Sequence, residues 1–216
     1  MAGIMEDETL YIEYVKEKTK QDNVVLVDVG FNLGDFTDVF LGIFPDAEVF
    51  GFEPNIDAYN SLPAKLAENK NVHLFNVGIA NTLLTKRQFY YMAPNTGCSS
   101  FYYRDNFGPR SSVTTAHLIA LEVVDLPAEI TYLKIDTEGY EIEVMKSAQV
   151  MMKNRRIKFI QFEAGDCTKY SGYKLGDIIY FLNDLGYVVY NKNFTMLSPD
   201  VEFDGTIVEN YLAELI

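Results

Sequence analysis

Three short strings place polar residues where apolar runs end, and each is suited to hold or act on a ligand. The first is Asp28-Val29-Gly30-Phe31-Asn32-Leu33-Gly34. Glycines there let the backbone turn tightly and let a ligand approach without a Cβ in the way, and a helix starting after the turn offers unpaired N–H groups. A dinucleotide fingerprint begun at Gly30 would need glycine at positions 32 and 35, where Asn32 and Asp35 stand; Asp35 would repel a pyrophosphate. No P-loop lysine follows. The D-x-G-x-N-x-G spacing suits a nucleoside that carries no phosphate. The second string is Glu53-Pro54: an acid at the end of the next strand can accept hydrogen bonds from both ribose hydroxyls, and the proline holds Glu53 extended, aiming its carboxylate out of the strand. The third is Tyr132-Leu133-Lys134-Ile135-Asp136-Thr137-Glu138-Gly139-Tyr140-Glu141, which sets carboxylates at a strand end and a helix start.

These residues need a scaffold, and hydrophobic periodicity supplies one. Val24–Val29 is apolar on both faces and reads as a buried parallel strand. Strands are expected at Glu48–Phe52, Val72–Val77, Tyr132–Ile135, Ile157–Phe162 and Tyr187–Tyr190, with a further one near Thr206–Val208. Helices are expected at Glu6–Lys20 (with Leu10 and Tyr14 on one side), up to Phe44, at Asp57–Asn69, Gly139–Lys153 and Lys174–Leu185. Arg87–Met92 and Val113–Val124 read as extended pieces flanking a long irregular loop, Pro94–Ser112. Strands alternating with helices predict a mostly parallel central sheet covered by helices on both faces, with ligands at the carboxyl ends of the strands. At 216 residues the chain suits one domain with a loop insertion at about 94–112.

The strings "DVGFNLGDF", "FGFEPN" and "LKIDTEGYE" resemble the FkbM-type methyltransferases, from about Val24 to Asn191. The resemblance implies an α/β, Rossmann-like class I methyltransferase sandwich that uses S-adenosylmethionine, and O-methylation of a sugar or polyketide-type hydroxyl. It also implies company with glycosyltransferases in glycan assembly, as a fused domain or partner. Carried over residue by residue, Asp28, Gly30, Asn32 and Gly34 match the cofactor turn and Glu53 the ribose acid, followed by Pro54. Asn55 and Ile56 would flank the adenine, Asn76-Val77-Gly78 would border it, and Asp136 and Glu138 match the fourth strand's end. Ser99 and Ser100 fall loosely where the family has serines near the cofactor.

Methyl transfer to oxygen needs in-line geometry and a proton acceptor. The candidates for that acceptor are Asp136, Glu163 at the end of Gln161-Phe162-Glu163, and His117. The alternative for Glu163 is a loop cap, and for His117 a structural strand residue; Glu138 and Glu141 also suit a helix start by their charge. Tyr102, Tyr103, Arg104 and Arg110 in one loop, Tyr170 and Tyr173 in another, and Glu138 are the expected acceptor contacts, since aromatic faces beside polar groups fit a sugar ring. The alternative is that these tyrosines pack the loops down. A 6-deoxyhexose such as rhamnose is the family's habit. Asp136, Glu163 and Asp166 could take Mg²⁺, but no spacing demands a metal and none is expected.

Composition narrows the field further. Lys+Arg total 18 and Asp+Glu 31, a net charge of −13, which argues against nucleic-acid acceptors. No apolar run is long enough to span a membrane, and Met1–Thr9 lacks a signal-peptide pattern. Cys98 and Cys167 make no disulfide framework, so a reducing cytoplasm is the expected location. Two competing readings are a nicotinamide-dependent oxidoreductase, disfavoured by Asn32 and Asp35, and a non-catalytic cofactor-binding module in a glycan-assembly complex. Co-purified S-adenosylhomocysteine, sought by mass spectrometry, would separate the first of these from a methyltransferase; a turnover assay would separate the second.

Overall fold

The computed structural model describes residues 2–19, 23–91, 96–104, 112–203 and 205–216. Arg110, the ends of the predicted helix at Lys20 and strand at Met92, and much of the predicted loop insertion lie outside them.

The central strands form because their side chains are buried on both faces. β1 (Val25–Val29) and β7 (Ile130–Ile135) are buried along their whole length. With β2 (Glu48–Phe52), β3 (Val72–Phe75), β8 (Ile157–Ala164), β9 (Tyr187–Tyr190) and β10 (Glu209–Leu215) they build a seven-stranded sheet in the order β3-β2-β1-β7-β8-β10-β9. β10 runs antiparallel between β8 and β9; the pairings among β3, β2, β1, β7 and β8 are parallel. The predicted strand near Thr206–Val208 is displaced: the pairing segment begins at Glu209, whose ENYLAEL sequence inserts between two apolar strands and so hides its period in the sequence.

One face carries α1 (Ala2–Lys18) and α2 (Asp35–Ile43), with Tyr11, Ile12, Val15, Phe36, Phe40, Leu26, Tyr132 and Phe159 in its core. The buried side of α1 is thus Glu8, Tyr11, Ile12 and Val15, while Leu10, grouped with Tyr14 from the sequence, is 44% exposed. The other face packs α5 (Glu141–Ser147), α6 (Gln149–Lys153) and α7 (Leu175–Asp184) over Val27, Leu133, Ile160 and Phe162. Two predicted helices are each two shorter ones. Pro63 separates α3 (Ile56–Asn60) from α4 (Ala64–Ala67), because proline ends a helix before it, and Ala148 separates α5 from α6.

A second, three-stranded sheet, β4 (Gly78–Ile79), β6 (Ser112–Ile119) and β5 (Leu84–Tyr91) in the order β4-β6-β5, accounts for the predicted extended pieces. It packs Phe89, Ala116 and Leu118 against Phe101 and Tyr140 beside the main sheet's carboxyl edge. No helix among the described residues is long and apolar enough to cross a membrane.

Candidate active site

The carboxyl ends of β1, β2 and β7 open into a cavity of about 310 Å³, within the range of small-molecule sites. Its walls include Gly30, Phe31, Asn32, Phe36, Glu53, Pro54, Gly78, Phe101, Lys134, Asp136, Glu138 and Tyr140. The cavity sits where strand order reverses between β2-β1 and β1-β7, the topological switch point of an open α/β sheet.

Gly30 closes one end of the turn. Its φ is +88°, and a Cβ there would lie 1.7 Å from the carbonyl oxygen of Asp136, so only glycine lets β1 and β7 leave the sheet this close together. Asn32 also takes a left-handed conformation, φ 48°, which asparagine tolerates better than most residues. Glu53 holds this turn rather than projecting freely from its strand, as expected from Pro54. One carboxylate oxygen accepts from the Asn32 N–H at 2.7 Å, the other from the Asn55 N–H at 2.7 Å. Burial pushes Glu53 up to about 7, against the pull of those two N–H donors. Asn76 Nδ2 donates to the Glu53 carbonyl, tying the end of β3 to that of β2.

Beneath the cavity a polar row crosses the sheet. The register pairs Asp28 with Lys134 and Lys134 with Gln161, so three polar side chains from neighbouring strands share the α1/α2 face. Lys134 Nζ lies 3.7 Å from Asp28 Oδ1 and 3.2 Å from Asp136 Oδ2. Burial works to lower the lysine's pKa, but Asp136 and Asp28 outweigh it and hold the ammonium above its ordinary value. Asp28 is fully buried and pushed up by desolvation, countered by Lys134 and by the Thr37 hydroxyl, which donates to Oδ2 at 2.8 Å. Gln161 accepts from Tyr132 Oη at 2.6 Å and donates to Asn210 Oδ1 and to Glu8 Oε1. Glu8 thereby reaches the cavity wall from α1. Neither Glu8 nor Lys134 was singled out from the sequence: Glu8 sits in a run of acids on a polar helix, and Lys134 gains significance only from the register that sets it beside Asp28.

The mouth is built by the turn after β7. Glu138, at φ 55°, lines the cavity. Arg104 Nη1 donates to its carboxylate, Arg104 Nη2 donates to the Cys98 carbonyl, and Ser100 Oγ donates to the Glu138 carbonyl. Burial and Asp136 push Glu138 up to about 7, against the Arg104 charge. Ser100 and Arg104 therefore act from behind Glu138, whereas Ser99 lines the cavity itself. Glu141 is turned inward and caps the same turn, accepting from the Thr137 and Gly139 N–H groups and the Thr137 hydroxyl.

Other predicted site residues fall elsewhere. His117 is exposed on β6, opposite Lys86, so the strand that carries it turns it away from the cavity. Glu163 is buried, and burial together with Asp136, Glu138 and Glu141 pushes it well above the carboxylate range. It does not line the cavity, which sets it apart from Asp136. Its carboxylate lies within 4.8 Å of those of Glu138 and the Cys167 thiol, the one such cluster among the described residues. A thiol whose pKa burial raises, beside an arginine-paired Glu138, is poor company for Mg²⁺, and Asp166 is not part of the cluster. Tyr173 bonds Lys146 and borders a separate groove with Lys169, Lys174, Tyr180 and Phe203; Tyr170 stacks with Lys169. Tyr103 is 53% exposed against Tyr90, and Tyr102 packs on Tyr140 and Arg87 near the mouth. Gly34 packs on Phe31 and Leu66, Ile56 is exposed, and Val77 joins the core; none of them lines the cavity.

Comparison with known proteins bears on this geometry. A profile described as "Methyltransferase FkbM domain" matches residues 28–189. No curated protein sequence matches the chain. Among solved structures, an rRNA methylase from Streptococcus thermophilus superposes with a TM-score of 0.54 at 10% identity, over 96% of this chain and 95% of that one. The plantazolicin methyltransferase BpumL in complex with SAH gives 0.53 at 8% identity, over 97% and 83%. The N-methyltransferase NodS from Bradyrhizobium japonicum WM9 gives 0.52 at 7%, over 99% and 97%. Identities this low show a shared fold, that of class I methyltransferases, and leave the acceptor open. The family profile spans three quarters of the sequence and contains the glycine turn, Glu53 and the Asp136–Glu138 turn, so the chain belongs to the FkbM methyltransferase domain family.

Proposed function

We propose that this chain, acting as a single domain, transfers the methyl group of S-adenosylmethionine to a hydroxyl oxygen of a sugar or glycan, with a 6-deoxyhexose such as rhamnose in the acceptor class. A glycosyltransferase domain or partner would supply that acceptor. The observation that carries the reading is the cavity wall itself. One rim joins the Gly30–Asn32 turn to Glu53, and the facing rim carries Asp136 and Glu138.

The residues present fit the donor. Each Glu53 oxygen has accepted one N–H and keeps a lone pair for a ribose hydroxyl. Phe31, Phe52, Pro54 and Ile79 offer apolar surface for a base. Asn55 Nδ2 is buried without a hydrogen-bond partner among the described residues, one residue past Pro54, though Asn55 itself does not line the cavity. Among the described residues Lys134 is the one lysine or arginine on the wall, and it already holds two carboxylates, which disfavours a pyrophosphate. Acidic residues suit a cationic donor. When bound, the donor supplies an electrophilic methyl carbon, whose bond to sulfur breaks with the electron pair left on sulfur as the bond to the acceptor oxygen forms.

The chain's own part is alignment and proton transfer. Holding oxygen, carbon and sulfur in line lowers the barrier by roughly 7–11 kcal/mol in favourable cases. Asp136 takes the hydroxyl proton, a contribution of about 10²–10⁴-fold, and Glu138, on the same rim, orients the acceptor. Phe89, Phe101 and Tyr140 present ring faces to the apolar side of a sugar. An uncharged acceptor also agrees with a net charge of −13 and with a wall whose one cation among the described residues is already paired.

The test is methyl-labelled donor incubated with a panel of sugars and oligosaccharides, and separately with RNA. Label is expected in a sugar fraction; label in RNA alone, or in no acceptor, would overturn the acceptor class. Glu53→Ala should weaken S-adenosylhomocysteine binding at least about tenfold, measured by calorimetry. Asp136→Asn should keep that binding and lower kcat by about 10²-fold.

A further inference from the structure

The family profile starts at residue 28, yet the wall of the cavity includes a residue from α1, twenty positions earlier in the chain. Glu8 is 6% exposed. A carboxylate is seldom buried without a reason, because removing its charge from water is costly. Here it is held by design: Gln161 Nε2 donates to Oε1, and Gln161 is in turn fixed by Tyr132 and Asn210. Asn210 belongs to β10, also outside the profile, and its carbonyl accepts from Tyr11 Oη of α1 at 2.8 Å. Two segments beyond the family core thus cooperate to seat one acid against the cavity.

The charge inventory around it is unbalanced. Lys134 faces Asp28 and Asp136 and also acts on Glu8. Two carboxylates flank the ammonium and Glu8 acts on it from farther off, so acids outnumber the one base here. A cation entering the cavity would relieve that imbalance, and an anion would add to it. The proposed donor has two positive centres, its sulfonium and its α-amino group. With Asp136, at the end of β7, assigned above to the acceptor hydroxyl, the α1 side is left for the amino-acid end.

We propose that Glu8 holds the positively charged α-amino group of the methyl donor, closing the donor pocket from the α1 side. The inference rests on the donor reading above and names the residue that recognises one part of that donor. It makes Glu8 a binding residue carried by an addition to the family core, with Gln161 and Asn210 as positioning residues.

Three ligands separate the possibilities by calorimetry on the full chain: S-adenosylhomocysteine, its deamino analogue, and 5′-methylthioadenosine, which lacks the amino-acid end altogether. None carries a sulfonium, so the amino group is isolated. The wild-type chain should bind S-adenosylhomocysteine at least about tenfold more tightly than the deamino analogue, a comparison that needs no variant to fold. Glu8→Gln, which keeps the shape and a hydrogen bond to Gln161, should weaken S-adenosylhomocysteine about tenfold and leave 5′-methylthioadenosine within twofold. Equal wild-type affinity for the amino and deamino ligands would overturn the assignment. So would a Glu8→Gln protein that binds S-adenosylhomocysteine normally, or one that loses both ligands equally. If the wild-type chain binds none of the three, the donor reading itself fails, a result distinct from those that remove Glu8 alone.

Discussion

At the scale of single residues the site depends on close approach and on hydrogen bonds to charged groups. Gly30 shows the first: its missing side chain is what lets the chain after β1 pass against the Asp136 carbonyl. Gly30→Ala must move that backbone, and it also strains a φ of +88°. We expect little folded protein, or a melting temperature lowered by well over 10 °C, with donor binding lost. Gly172→Ala is the control, because its φ is +78° but nothing lies within 4 Å of the added Cβ. There only the backbone cost of about 1–2 kcal/mol remains, a few degrees in a thermal melt. Glu53 shows the second effect. The sequence identified it as an acid at a strand end, and the structure adds that its oxygens hold the Asn32 and Asn55 amides before any ligand arrives.

At the scale of elements, the segment of residues 96–104 is latched to the turn between β7 and α5. Arg104 and Ser100 both bind Glu138, one at its carboxylate and one at its carbonyl. Arg104→Ala would leave a buried acid facing Asp136 with no cation to oppose it, pushing Glu138 further up from about 7. We expect faster amide hydrogen exchange across residues 96–104, read by mass spectrometry, and a stability loss of about 1–3 kcal/mol at pH 8. The loss should shrink at pH 6, where Glu138 carries a proton and no longer needs its partner. This latch was beyond the sequence because 34 residues separate Arg104 from Glu138. The helices after β2 and β7 were legible as helices but not as pairs: the break at Pro63 has a local cause that the periodicity overrode, whereas Ala148 is a good helix former and gives no local sign of one. β10 was misplaced because a strand carrying Glu209, Asn210 and Glu214 does not look buried until neighbours flank it.

At the scale of the whole molecule, the chain concentrates buried acid at one edge of its sheet. Burial pushes both Glu8 and Glu53 from the ordinary 4.5 to about 7. The sign follows from which state holds the proton more tightly. Between pH 4.5 and 7 the folded chain keeps protons that the unfolded chain releases, so stability is greatest below that window and is lost as pH rises through it. Each group contributes on the order of 3 kcal/mol at most. Without ligand, the melting temperature should fall from pH 5 to pH 8, and Glu8→Gln should flatten the slope. A melt independent of pH across this range would show these carboxylates to be solvated.

What the residues alone determined was the alternation of strands and helices and the strand-end positions of the glycine turn, Glu53 and Asp136, which line one cavity. Those are local facts: a run such as Val25–Val29 is apolar on both faces whatever surrounds it, and a glycine permits a turn wherever it stands. Tertiary structure decided which polar groups meet. Register set Asp28, Lys134 and Gln161 side by side, α1 brought Glu8 over them, and Arg104 closed on Glu138. It also turned His117 out to solvent and buried Glu163 away from the cavity wall. The physical reason is that burial and charge pairing are properties of the packed molecule: an acid written in the chain becomes a base, a cap or a clamp only according to how much water and which cation the fold leaves beside it.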